Sequence, residues 1–212
     1  MKNSVILLGA GGHGAVVLES LQLSGIEVIG VCDPALGNNT EENMGLPILD
    51  SSGLVEKYPS QNFLLANGVG FMPGQNARSG LFVEMKEKGY SFIGTCHPTA
   101  IISKSATINE SAQLMAGSII QSHVYIGENT IINTGAQVDH GSHIASLAHI
   151  CPGAILSGDT QVGESAFIGA GAVVSNGVKI GKNAVIGAGA IITKNVPDNS
   201  KVITPITRDL AN

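Results

Sequence analysis

Four of the six histidines fall in the second half of the chain, at His123, His140, His143 and His149. Imidazole is the side chain best matched to moving a proton near neutral pH, since its unperturbed pKa is about 6.5. His140 follows Asp139 directly and lies seven residues beyond Asn133. His143 and His149 are six residues apart and fall on equivalent places of successive repeat units, so one metal ion is poorly served by both. No acidic third ligand accompanies them, and no metal is expected. A fifth histidine, His13, sits inside Gly9-Ala10-Gly11-Gly12-His13-Gly14, a loop of the kind that cradles phosphates. Cys151 has only His149 beside it and reads as a small corner residue rather than a nucleophile.

These residues need elements to hold them, and in the second half a repeat supplies them. Every sixth residue from Ile102 to Ile192 is Ile, Leu or Val, sixteen positions without exception. The residue two before each is small or β-branched, from Ala100 through Ala190. A period of six fits neither a helix face nor simple strand alternation. It predicts short strands with a turn every six residues, three to a coil, stacked about 4.8 Å apart as a solenoid of roughly five coils. The residue after each aliphatic is often Gly, Asn or Asp, which predicts a left-handed backbone at that position.

The first half reads differently. Residues 4 to 9 form a buried strand that runs into the glycine loop and then an amphipathic helix from Ala15 to Leu23. Gly9 makes the tight turn, Gly11 admits a phosphate, and the helix N-terminus favours negative charge. A second strand, Glu27 to Val31, leads to Asp33, an acid placed to bond a ribose or base. Phe63 to Ala66 reads as a third strand, Ala77 to Lys88 as a helix, and Ser91 to Ile93 as a further strand. The expected organisation is a small Rossmann-like α/β domain over residues 1–95, sized for one nucleotide, and an all-β parallel helix of hexapeptide repeats over 96–212.

Composition narrows the function. The net charge of −5 leaves no basic footprint, so nucleic acid is not an expected partner. No stretch is long and uninterrupted enough to predict a membrane span. Three scattered cysteines, Cys32, Cys96 and Cys151, follow no disulfide or metal spacing and suit a reducing cytoplasm.

The segment Asn133-Thr134-Gly135-Ala136-Gln137-Val138-Asp139-His140, with His149-Ile150-Cys151-Pro152-Gly153 and Leu156-Ser157-Gly158, resembles the NeuD/PglD-type family of sugar O- and N-acetyltransferases. The Gly11-Gly12-His13-Gly14 loop matches the same family. The resemblance implies a left-handed β-helix, a homotrimer with sites between subunits, and acetyl-CoA as co-substrate. It implies His140 as general base with Asp139 or Asn133 orienting it, and the Gly158 N–H as oxyanion donor. It further implies His149, Ala170 and Ala188 along the CoA, and Gly11, Gly12, His13, Asp33 and Gly68 around a nucleotide-activated amino sugar. The reaction implied is N-acetylation of such a sugar, a 4-amino-4,6-dideoxy sugar in particular, for a surface glycan. Two alternatives stand beside it: O-acetylation of a sugar of the sialic acid type, and a non-catalytic nucleotide-binding trimeric scaffold. The chain departs from the family twice. Some relatives carry an acid directly after the catalytic histidine, where this chain has Gly141. Many end in a Gly-x-Pro-Ala-type segment, where it has Val202-Ile203-Thr204-Pro205-Ile206-Thr207.

Overall fold

The computed structural model describes residues 4–36 and 42–203, so Thr204 to Thr207 of the unusual C-terminal segment lie outside the described residues. The first part comprises β1 (Ser4–Leu8), α1 (Gly12–Leu23), β2 (Val28–Cys32), β3 (Glu42–Asn43), β4 (Leu46–Pro47), α2 (Leu54–Lys57), β5 (Phe63–Asn67) and α3 (Ala77–Glu87). The apolar run of β1 is central: it pairs in parallel with β2 on one side and β5 on the other. That position explains why Val5 to Leu8 are all buried, as a parallel strand covered on both faces must be.

Two expectations shift here. Helix α1 begins at Gly12, not Ala15, which puts His13 and Gly14 in its first turn. Gly14 permits the early start, because a side chain there would run into the Gly9 carbonyl. The strand expected at Ser91 to Ile93 is reduced to one parallel bridge, Leu65 to Phe92. The chain leaves the sheet at Gly94, which abuts the Ala112 backbone too closely for a side chain.

From Thr95–Cys96 to Lys201–Val202 the chain is a left-handed parallel β-helix of two-residue strands in three sheets of seven, six and five strands. Pairings step by eighteen residues per coil, as in Ile119 with Gln137, Tyr125 with His143 and Ile131 with His149. The last coil is two residues shorter, pairing Val185 with Lys201. Leu114, Ile120, Ile126 and their successors to Ile192 fill the interior with the small residues Ala112, Ala136, Ala148, Ala154 and Ala166 between them.

The corners correct the sequence reading. From Leu114 to Ile186 the left-handed residue is the third after each inward aliphatic, at Gly117, His123, Asn129, Gly135, Gly141, Leu147, Gly153, Asp159, Ser165, Gly171, Gly177, Asn183 and Gly189. The glycines directly after the aliphatic serve another purpose. A side chain at Gly127, Gly163 or Gly169 would press on the backbone of the next coil, so these positions set the close approach of corners.

The three outer faces differ. On the docked face Met115 and Ile131 join the core of the first part, with Val5, Leu7, Val17 and Leu21. The apolar face presents Ile101, Ile119, Gln137, Ile155, Val173 and Ile191, and Ile101, Ile155 and Ile191 are 64%, 38% and 74% exposed. The polar face presents Thr107, Tyr125, His143, Gln161 and Lys179, with the Tyr125 and His143 rings stacked at 4.5 Å. No described helix is long and apolar enough to cross a membrane.

Candidate active site

Beyond the C-terminal ends of β1 and β2, a cavity of about 500 Å³ is lined by Gly9, Asp33, Ser51, Ser52, Val69 and Lys88 among others. Crevices of this kind are where ligands bind on parallel sheets. Asp33 holds the loop itself: its carboxylate accepts from Ala10 N at 2.8 Å and Ala35 N at 2.9 Å. Gly11 caps α1 with no side-chain hydrogen bond, and Gly11 and Gly12 face open space. Gly68 is a packing residue beneath the loop, where a Cβ would stand 2.7 Å from the Gly9 carbonyl oxygen and 2.9 Å from Gly14 Cα.

His13 turns toward the solenoid. Its Nε2 lies 2.9 Å from Gln113 Oε1. Gln113 Nε2 donates to Asn67 O at 2.7 Å, so Oε1 is the accepting atom and His13 carries its proton on Nε2. Arg78 is fully buried in the same junction. It donates to the carbonyls of Asn67, Val69 and Asn129 and to the side chains of Gln113 and Asn129, at 2.7 to 3.2 Å. Five oxygen contacts therefore replace the water that a buried guanidinium gives up. Nothing in the spacing of Arg78, Gln113 or Asn129 marks this network in the sequence. Burial, then the Arg78 charge, lowers the His13 pKa to about 4.

His149 is 7% exposed, on the docked face. Phe71 and Phe167 stand edge-on to its ring at 5.8 and 5.4 Å. Asn133 Oδ1 accepts from Thr134 N at 2.7 Å, so its Nδ2 is the atom that donates to His149 Nε2 at 3.1 Å. That fixes a neutral imidazole with its proton on Nδ1, an atom buried toward the Phe71 backbone without a hydrogen bond of normal geometry. Burial, then the nearby His13 and Arg78, lowers its pKa to about 3. Asn133 thus serves His149 and not His140. Cys151 beside it is buried, and burial raises its thiol to about 12, which disfavours the thiolate that a nucleophile needs.

His140 is exposed, on the corner between the apolar and polar faces. Its ring lies over Gly158, one coil on: a Cβ there would fall 2.6 Å from Nε2 and 3.0 Å from Nδ1. Asp139 Oδ1 accepts from the His140 backbone N–H at 2.7 Å and so engages the chain rather than the ring.

The sequence candidates therefore separate into groups. Asp139, His140 and Gly158 share the corner between the apolar and polar faces. Asn133, Ala170 and Ala188 share the corner between the docked and apolar faces, with His149 on the adjoining strand. The apolar face lies between them. Among the described residues no group of three or more His, Cys, Asp or Glu converges as a metal site would require.

Residues 4–71 match the family described as PglD N-terminal domain, and residues 159–194 match bacterial transferase hexapeptide (six repeats). Among solved structures, PerB from Caulobacter crescentus in complex with CoA and GDP-perosamine is 32% identical, with 97% of this chain and 96% of that chain covered and a TM-score of 0.86. A mutant of GDP-perosamine N-acetyl transferase from Caulobacter crescentus with the same ligands is 31% identical over 99% of this chain and 97% of that one, also at 0.86. The acetyltransferase domain of PglB from Neisseria gonorrhoeae FA1090 in complex with acetyl coenzyme A is 29% identical, over 99% of this chain and all of that one, with a TM-score of 0.85. A search of curated protein sequences found no match.

Proposed function

We propose that this chain, which belongs to the NeuD/PglD-type family of hexapeptide-repeat acetyltransferases, N-acetylates the amino group of a nucleotide-linked amino sugar with acetyl-CoA as donor. The chain is an acyltransferase. The relatives bound to CoA and GDP-perosamine support the substrate class, a 4-amino-4,6-dideoxy sugar being the preferred member. In this reading residues 1–95 hold the sugar nucleotide, with its phosphates toward the open N-terminus of α1, and residues 96–212 carry out the transfer.

The observation that carries the reading is His140, an exposed imidazole laid against Gly158. The sugar amine attacks the thioester carbonyl, forming the C–N bond, and His140 takes the proton released from nitrogen. Among the described residues the Gly158 N–H meets no backbone acceptor, and in this reading it is the donor offered to the oxyanion. Collapse breaks the C–S bond, and the thiolate leaves to be protonated as CoA.

The separation of the residues into two corners supports a homotrimer. If each apolar face turns toward a threefold axis, the His140 corner of one subunit meets the docked–apolar corner of the next. His149, Asn133, Ala170 and Ala188 of that neighbour then line the CoA, and the exposed isoleucines are covered. Such head-to-tail contacts close into a ring after three copies.

The test is thiol release from acetyl-CoA against UDP-, GDP- and dTDP-linked 4-amino sugars, with sialic acid included. Turnover of one amino sugar is expected, and His140→Ala should lower kcat by about 10²- to 10⁴-fold. Turnover of sialic acid alone moves the assignment to O-acetylation. Full activity in His140→Ala removes the proposed base.

A further inference from the structure

The imidazole of His140 becomes positively charged when it accepts a proton, and among the described residues no side chain is bonded to the ring to offset that charge. Asp139 is committed to the backbone. The titratable groups on the corner strands around it are His123 one coil below, Asp139 on its own coil and Asp159 one coil above, with Lys104 further down. Asp159 stands apart from the others. Its backbone N–H donates to the His140 carbonyl at 2.8 Å, so the two residues are stacked at one corner. Its carboxylate leans back over Gly141, with Oδ1 in the place that a Cβ on Gly141 would take. Gly141 leaves that space vacant, and no hydrogen bond engages the carboxylate among the described residues.

We propose that Asp159 is a positioning residue for His140, its carboxylate filling the space above Gly141 and steadying the imidazolium formed when the sugar amine gives up its proton. This rests on the reading of His140 as the base. The proton stays on the imidazole and passes to the departing thiolate; Asp159 accepts a hydrogen bond and remains ionised. A carboxylate beside a histidine favours its charged form and makes it a stronger base.

The conformations of the two corners make the idea testable without disturbing the fold. Gly141 and Asp159 both have left-handed backbones, at φ 68° and 57°. Asn and Gly tolerate that conformation at position 159, and Asp tolerates it at 141. Asp159→Asn should therefore keep the wild-type melting temperature. It should lower kcat about tenfold with little change in either KM, and move the acid limb of the rate profile to lower pH. The exchange Gly141→Asp with Asp159→Gly returns a carboxylate to the same space and should recover most of the lost kcat. A corner of purely structural importance moves neither the pH profile nor the exchange. If Asp159→Asn matches the wild type in kcat and pH profile while His140→Ala is inactive, Asp159 has no such role and the base assignment stands. If His140→Ala is itself fully active, both fall together.

Discussion

His13 and His149 are held neutral on either side of the junction, and this has a consequence for stability. Their pKa values fall from 6.5 to about 4 and about 3 because burial, reinforced by the Arg78 charge, disfavours the cation. The unfolded chain therefore takes up these protons first. Stability is complete above about pH 6.5 and drains away as pH falls toward those lowered values. At pH 5 the loss should be about 2 kcal/mol for each histidine. Urea unfolding at pH 7 and pH 5 measures it, and His149→Gln should remove roughly half of the difference. Little of this was legible in the sequence, which marks His13 as a loop residue and gives no sign of Gln113 and Arg78. The pairing of Asn133 with His149 was legible in part. Asn133 and Asp139 each follow an inward aliphatic one repeat apart, which places them on different corners and separates Asn133 from His140. Asp159 could not be read at all, because its relation to His140 depends on which way a carboxylate leans between coils.

Among the elements, the repeat was the most legible feature, since its sixteen aliphatic positions face inward as the period requires. The turn chemistry was not, because two kinds of glycine occur among the repeats and composition does not distinguish them. One kind supplies a left-handed backbone, which Asn129, Asp159 and Asn183 also adopt. The other supplies space. A Cβ at Gly163 would stand 2.5 Å from Lys182 N. Gly163→Ala should accordingly cost about 1–3 kcal/mol, seen as a lower urea midpoint with an unchanged slope. The helix start was misplaced for a related reason: a run of glycines reads as loop, yet Gly12 and Gly14 are inside α1, and the Gly9 carbonyl packs on Gly14 too closely for a side chain.

For the whole molecule, a site divided between two corners makes a prediction about mixtures. His140→Ala and His149→Ala chains should each be inactive alone. Unfolded and refolded together in equal amounts, they should regain about a quarter of the wild-type sites, because at random assembly that share of interfaces receives an intact corner from each side. No recovery would place both histidines in one subunit's site. The three-faced coil also constrains how such a chain can change over generations. Each coil before the last is eighteen residues, so gaining or losing a whole coil lengthens or shortens the column and leaves every corner above in line. Six residues gained between His140 and Ala170 would leave the interior equally apolar but turn everything beyond by a third of a revolution. The protein would fold with its two half-sites facing different neighbours, so inheritance can edit this half of the chain in eighteens far more safely than in sixes.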